Sequence, residues 1–260
     1  DTLPVEDPVF FLALHGTVGE DGSVQKMMEQ RGIAFTGSSA SASADAFDKG
    51  RTKEMLAGRV RMAESRIARN SGEIHSIVRD MQRHPKLVLK PLAGGSSRGL
   101  FFIERGEEFK GAIDVPYIVE QFVAGRELSV GVIDQGNGPF ALPVIEIEVD
   151  AGSSFDYAGK YLGKGTREIC PAKIPDRTRQ EAQQIAITAH EVLGCDGYSR
   201  TDVIAADDAL YFLELNTLPG LTVSSLLPQE LRAAGIEFRD FLERQIELAR
   251  VRSDALPRSR

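Results

Sequence analysis

Tyr198-Ser-Arg-Thr-Asp-Val-Ile-Ala-Ala-Asp-Asp-Ala-Leu-Tyr-Phe-Leu-Glu-Leu-Asn216 reads as two strands, 198–205 and 209–216, joined through Asp207 and Asp208. Centring the turn on Asp208 sets Asp202 opposite Glu214 and Arg200 opposite Asn216. Because side chains alternate along a strand, all four then share one face. Two carboxylates and a carboxamide beside an arginine make a hard oxygen site, suited to a Mg²⁺ ion that keeps its waters and takes further ligands from phosphate. A cross-strand arginine–carboxylate cluster on a solvated face explains the same residues, and in isolation it is the commoner occurrence.

Outward from this hairpin, Asp176 to Leu193 carries Ala182, Ile185, Ala186 and Ala189 at helical spacing, with Asp176 placed to cap the helix. Residues 224–234 and 237–251 read as further helices. Tyr117 to Val149 is strand after strand with Gly125, Gly136 and Gly138 at the turns, which implies an antiparallel meander. Asp150 to Gly165 has little apolar content and reads as a mobile surface loop. Leu87-Val-Leu-Lys90 is a strand that runs into the glycine- and serine-rich stretch Pro91 to Gly99 and resumes at Leu100 to Ile103. A lysine at the end of a buried strand, followed by a loop whose backbone N–H groups can approach a polyanion, is nucleotide-phosphate chemistry. A flexible hairpin loop is the plain alternative, and neither GxxxxGK[ST] nor GxGxxG is present.

Upstream, Val9-Phe-Phe-Leu-Ala-Leu14 reads as a strand buried on both faces, broken by the glycines of 16–22. A helix from Val24 through Met27 and Met28 that ends near Gly32, a strand at 33–35 and a helix at 39–56, interrupted around Gly50, complete a parallel α/β layer. Arg59 to Ile67 and Ser71 to Arg83 are expected as a strand and an exposed amphipathic helix. Phe10, Phe11 and Phe122 are expected in the core. His75, His84 and His190 are expected on helix surfaces or loops, whereas His15 stands out by following a buried strand.

Composition narrows the function classes. The chain has 260 residues, 31 Lys and Arg against 38 Asp and Glu, a net charge of −7 and 42% hydrophobic residues, which excludes disordered and collagen-like chains. No apolar run approaches the roughly 20 residues of a membrane helix. Acidity argues against nucleic acid as a main partner. Cys170 and Cys195 show neither CxxC nor zinc spacing, which fits a reducing cytoplasm.

Leu14-His-Gly-Thr-Val-Gly-Glu-Asp-Gly22 with Gln25, Phe35-Thr-Gly-Ser38, Ser43-Ala44, Asp48-Lys49 and Lys53 resemble the D-alanine:D-alanine ligase family of the ATP-grasp superfamily. The resemblance continues in order through Lys90-Pro, Gly95-Ser-Ser-Arg-Gly99, Glu120, Gly125-Arg-Glu127, Lys160-Tyr161 and Cys170-Pro-Ala172. It ends with Gly197-Tyr-Ser-Arg-Thr-Asp202, Glu214-Leu-Asn-Thr-Leu-Pro-Gly-Leu-Thr222 and Ser224-Ser-Leu-Leu-Pro228, and so spans nearly the whole chain.

The resemblance implies an ATP-grasp fold with α+β lobes: a partial parallel α/β domain at 1–48, a central lobe at 49–124 and a C-terminal lobe at 125–260. It implies phosphorylation of one D-alanine carboxylate by ATP, then attack by the amine of a second D-alanine, for peptidoglycan precursor synthesis. Lys49, Lys90, Glu120, Glu127 and Lys160 would bind ATP; Asp202, Glu214 and Asn216 would hold Mg²⁺, with Mn²⁺ able to substitute. Arg200 and backbone N–H groups near Gly220 would stabilise the oxyanion. Ser225 and Leu226 would bind the second carboxylate, His15 would lie near the first substrate, and Ser96 would link the loop to Tyr161 on the lid. A homodimer is expected from the family alone.

Two stretches depart from the family pattern. Its glycine-rich opening strand, with the glutamate that orients the first D-alanine amine, has no counterpart here; a leading segment cut or left out, a naturally short homologue and a second chain working beside this one are the competing expectations, and the start at Asp1 favours the first. Residues 106–115 are shorter than the family's helix. The alternatives are another ATP-grasp carboxylate–amine ligase with different amino-acid substrates, or a catalytically impaired nucleotide-binding relative.

Overall fold

The computed structural model describes residues 8–14, 16–94, 99–149, 166–207 and 209–255. Its first layer is a parallel pair, β1 (Val9–Phe10) and β2 (Ala34–Phe35), crossed by α1 (Thr17–Glu20) and α2 (Ser23–Gln30). The expected strand 9–14 is therefore much shorter than its apolar run. Leu12 turns into the core, but Phe10, although paired with Phe35, is 47% exposed, and Leu14, past the end of β2, is 42% exposed. Past that point the side-chain oxygen of Thr36 accepts the Leu12 N–H in place of a ladder bond. Phe11 and Phe122 also lie outside the fully buried core. The Phe122 ring instead packs edge-on to Phe102 and beneath the Lys86 ammonium.

The helical stretch 39–56 splits into α3 (Ala40–Phe47) and α4 (Lys49–Leu56), with the break at Asp48 rather than at Gly50. Asp48 has extended backbone angles and its Oδ1 accepts from the N–H groups of Gly50 and Arg51, so one residue ends α3 and caps α4.

A four-stranded antiparallel sheet follows, from β3 (Ser65–Ala68), β4 (Lys86–Pro91), β5 (Phe101–Glu104) and β6 (Tyr117–Gln121), in the order β3-β6-β4-β5. α5 (Ser71–Asp80), capped by Asn70, covers one face and packs Ile74 and Val78 on Leu87, Leu89 and Val119. The other face carries Lys90 and Glu120, diagonal neighbours across the β4–β6 pair.

The second sheet contains β7 (Arg126–Asp134), β8 (Pro139–Ala141), β9 (Ile145–Val149), β10 (Thr166–Ile169), β11 (Tyr198–Ala205) and β12 (Leu210–Asn216). Its order is β10-β9-β7-β11-β12, with β8 also on β7. Tyr117 to Val149 is thus not one meander, since β6 and β7 belong to different sheets. The crossing is tight at Gly125, where a Cβ would lie 2.4 Å from the Ala205 carbonyl oxygen.

α6 (Asp176–Val192) packs Ala182, Ile185, Ala186 and Ala189 on one face of this sheet, against Leu128, Val130, Val203, Phe212 and Leu215. Pro175 precedes the helix, so Asp176 is its first helical residue and pairs with Arg179 instead of capping. His190 is buried, not on the surface: Nδ1 lies 2.7 Å from Ser199 Oγ, and burial holds the imidazole down at about 4. The opposite face receives α7 (Leu226–Ala233), α8 (Phe238–Ala255) and the first layer, through Leu12, Phe35, Tyr198, Leu227 and Phe241. Arg252 of α8 clasps that layer by donating to the Phe35 carbonyl at 2.6 Å and to the Gly37 carbonyl. Among the described residues no helix is long and apolar enough to cross a membrane, and both cysteines are free thiols.

Asp48→Ala removes the cap of α4 and should lower the unfolding free energy by about 1 kcal/mol in urea titration. An unchanged midpoint would show that tertiary contacts alone define the break.

Candidate functional site

The β11–β12 hairpin pairs Arg200 with Asn216 and Asp202 with Glu214, as expected. It does so through two departures that compensate. The turn closes with the Ala206 N–H on the Ala209 carbonyl, so the inner pairs are Ala205 with Leu210 and Val203 with Phe212. The register then shifts between Asp202 and Val203, where Leu213 is the extra residue of a β-bulge. The bulge lets Phe212 and Leu215, three residues apart, both enter the α6 core while Glu214 and Asn216 keep the opposite face. β7 adds a third column, with Ser129 opposite Asp202 and Gly131 opposite Arg200. The site face therefore has two rungs, Ser129–Asp202–Glu214 and Gly131–Arg200–Asn216, and Glu127 lies beyond on the same side.

Asp202 is buried at 2% exposure, and its charge is met by Arg200, which donates Nε to Oδ1 at 3.0 Å and NH2 to Oδ2 at 2.9 Å. Ser129 Oγ donates to Oδ1 at 2.7 Å. Asn216 is held by its own loop, with Oδ1 accepting the Leu218 N–H at 2.9 Å. Among the described residues no three His, Cys, Asp or Glu side chains gather into an all-protein metal cage. Two carboxylates and a carboxamide on one face are an incomplete hard-oxygen set, which fits a Mg²⁺ ion that takes its remaining ligands from phosphate and water.

Facing this hairpin, α4 and the small sheet bring together three lysines and a glutamate. Lys49, Lys53, Glu120, Leu213 and Glu214 line one cavity. Glu120 is buried, with Oε1 2.6 Å from Lys53 Nζ and Oε2 2.5 Å from Lys90 Nζ. Burial pulls its carboxyl upward, but the two ammonium groups outweigh that and hold it below the ordinary carboxylate range. Lys49 Nζ donates to the Gly94 carbonyl at 2.6 Å, and its backbone N–H donates to Leu92, which ties α4 to the start of the glycine-rich loop. Burial lowers the Lys49 ammonium; Glu214 opposes the shift and Lys90 adds to it.

At the other end of the site, Ser225 Oγ accepts the Thr222 N–H at 3.1 Å, directly before Leu226 opens α7, and Gly220 lies in the half-buried approach to this turn. His15, Ser96, Lys160 and Tyr161 lie outside the described residues. Sequence reasoning gave no site role to Lys53 or Ser129. Lys53 follows Lys49 at i+4 on one helix face, and Ser129 follows Glu127 at i+2 in an otherwise apolar strand, so both carried a periodic signal.

A family model described as D-ala D-ala ligase C-terminus matches residues 59–247. A D-alanine--D-alanine ligase from Cupriavidus metallidurans is 39% identical over 241 residues, which cover 89% of this chain and 72% of that protein. The D-alanine--D-alanine ligase from Bacillus anthracis complexed with ATP superposes with a TM-score of 0.78 at 27% identity, covering 95% of this chain and 80% of that one. VanG D-Ala:D-Ser ligase from Enterococcus faecalis gives a TM-score of 0.80 at 28% identity, covering 93% and 72%.

Glu120 has a folded pKa below its unfolded one, so its contribution to stability is fully present above an unfolded value near 4.5 and fades as pH falls through the folded value. Glu120→Gln removes the buried counter-charge of two half-buried lysines and should cost about 3–5 kcal/mol at pH 7. The gap to wild type should narrow only below pH 4.5. Equal stability at pH 7, or a gap that widens on acidification, would contradict the assignment.

Proposed function

Because the chain belongs to the D-alanine:D-alanine ligase family, whose members have the ATP-grasp fold, we propose that this site joins two D-alanines with cleavage of ATP to ADP and phosphate. The observation that carries the reading is the juxtaposition of a lysine-bracketed carboxylate on the small sheet with the Asp202–Glu214 rung on the large one. A triphosphate would lie between them, its charge met by Lys49 and Lys90, with Glu120 and Glu127 toward adenine and ribose. Asp202, Glu214 and Asn216 would hold Mg²⁺, or Mn²⁺ in its place. Such an ion neutralises charge on the phosphates during phosphoryl transfer.

In the first step a carboxylate oxygen of one D-alanine attacks the γ-phosphorus, and the bond from that phosphorus to the β,γ-bridging oxygen breaks with release of ADP. In the second, the amine of the other D-alanine attacks the acyl carbon and the carbon–oxygen bond to phosphate breaks, releasing phosphate and a proton. Arg200 and the N–H groups near Gly220 face the oxyanion of this second step. Ser225 Oγ and the Leu226 N–H, at the start of α7, receive the acceptor carboxylate. Ser96, Lys160, Tyr161 and His15 keep the roles given by their motifs, with domain limits at 48/49 and 124/125. Peptidoglycan precursor synthesis in the cytoplasm, by a homodimer, completes the reading.

ADP release that depends on D-alanine, in preference to a panel of other amino acids, tests the activity. Asp202→Asn and Glu214→Gln should each reduce it by about 100-fold or more at saturating Mg²⁺ with the fold retained, and wild-type rates in both would refute the metal assignment. Tyr161 stands where relatives that make D-alanine:D-lactate carry histidine. In competition near neutral pH the dipeptide should therefore outweigh the depsipeptide, and a dominant depsipeptide would overturn the acceptor assignment.

A further inference from the structure

Glu230 is fully buried in α7, a helix seated by Leu227 and Leu231 in an otherwise apolar cluster. Its Oε1 accepts the Gly131 N–H at 2.9 Å. That N–H has no strand partner for a topological reason: the β9 ladder on β7 stops at Ser129 with Ile145, and the β8 ladder begins at Val132 with Ala141. The carboxyl of a helix thus closes a gap in a sheet. Gly131 lies opposite Arg200 and so belongs to the site face. A Cβ at Gly131 would lie 2.4 Å from Glu230 Oε2 and 2.5 Å from Leu227 Cδ1, so the carboxyl occupies the place of the missing side chain in the Arg200 rung.

We propose that Glu230 is a positioning residue for the acceptor half of the reaction, fixing the start of α7, with Ser225 and Leu226, in register with Arg200. The inference rests on the ligase reading above. Glu230 follows Leu226 by four residues on a helix of eight, so whatever fixes its carboxyl also fixes the helix start. Leu227 and Leu231 press α7 onto the sheet, but apolar contact is non-directional and tolerates sliding. A hydrogen bond to one backbone N–H does not. Burial, with Asp202 adding to it, pushes the carboxyl up to about 8 against the pull of the Gly131 N–H and Arg200, so at neutral pH it is mostly an uncharged acid. A neutral acceptor of the same shape should therefore serve in its place. Misplacement by about 1 Å can cost two orders of magnitude in rate, so a slip of α7 should appear at the acceptor and not at the nucleotide.

The test compares wild type with Glu230→Gln, Glu230→Leu and Glu230→Asp. D-alanine-dependent ADP release is measured against both D-alanine and ATP, and unfolding midpoints are taken alongside. Glu230→Gln keeps the acceptor and should stay within about threefold of wild type. Glu230→Leu keeps the volume and removes the acceptor; it should raise the D-alanine concentration for half-maximal rate about tenfold or more, with that for ATP changed less than twofold. Glu230→Asp, which withdraws the acceptor by one methylene, should shift D-alanine in the same direction, and it decides the matter if the leucine variant does not fold. Wild-type D-alanine dependence in the leucine or aspartate variant would overturn the inference. So would equal shifts for both substrates, or a glutamine variant as impaired as the leucine one. Absence of D-alanine-dependent release in wild type would instead remove the ligase reading, and the inference with it.

Discussion

The register of β12 against β11 is the constraint on which the site depends. One β-bulge, at Leu213, decides whether Glu214 and Asn216 share a face with Asp202 and Arg200 or are turned into the α6 core. The apolar residues of β12 enforce the outcome, since Phe212 and Leu215 can both be buried only if an extra residue sits between them. Moving the strand by one position would place a carboxylate in that core and an aromatic ring in the cleft, each at a cost of several kcal/mol. Packing energy on one face thus specifies chemistry on the other. Side chains fixed in this way need no loop to order them.

The same logic extends to the neighbouring strands and to the opposing sheet. Gly131 contributes no side chain to the Arg200 rung, and a helix carboxyl fills the space. On the small sheet, α5 buries one face while Lys90 and Glu120 are left on the other, toward α4. Asp48 starts α4 at the residue before Lys49, so the helix cap also sets where that lysine is placed. Charge is met locally at the two buried carboxylates: Glu120 lies between two ammonium groups and Asp202 against a guanidinium, which leaves the lysine cluster net positive. A polyanion would enter a cleft in which three ammonium groups outnumber one carboxylate.

Much of this was legible in the sequence because the relevant signals are short-range. Alternation along β11 and β12 gave the four-residue face, and helical spacing gave α6 and its buried alanines. Where the reading failed, the deciding contact was distant. The run Val9 to Leu14 is apolar enough for a long strand, but its length is set by a two-residue partner 25 residues away. The apparent meander from Tyr117 splits because Gly125 allows a close pass by Ala205, which no local pattern records. His190 looked like a surface residue of an amphipathic helix; Ser199 on the adjoining strand makes it a buried, satisfied one. Glu230 carried no signal at all, since its partner is a backbone N–H left over by a break between two strands.

The central claim is that the face built by this register carries ATP-driven ligation through an acyl phosphate. It is tested most directly by incubating the protein with ATP, Mg²⁺ and D-alanine labelled with ¹⁸O in its carboxylate, and measuring the isotope in the released phosphate. The account predicts one labelled oxygen in each phosphate formed, because the carboxylate oxygen that attacks phosphorus leaves with it. Dipeptide formation with unlabelled phosphate would contradict it.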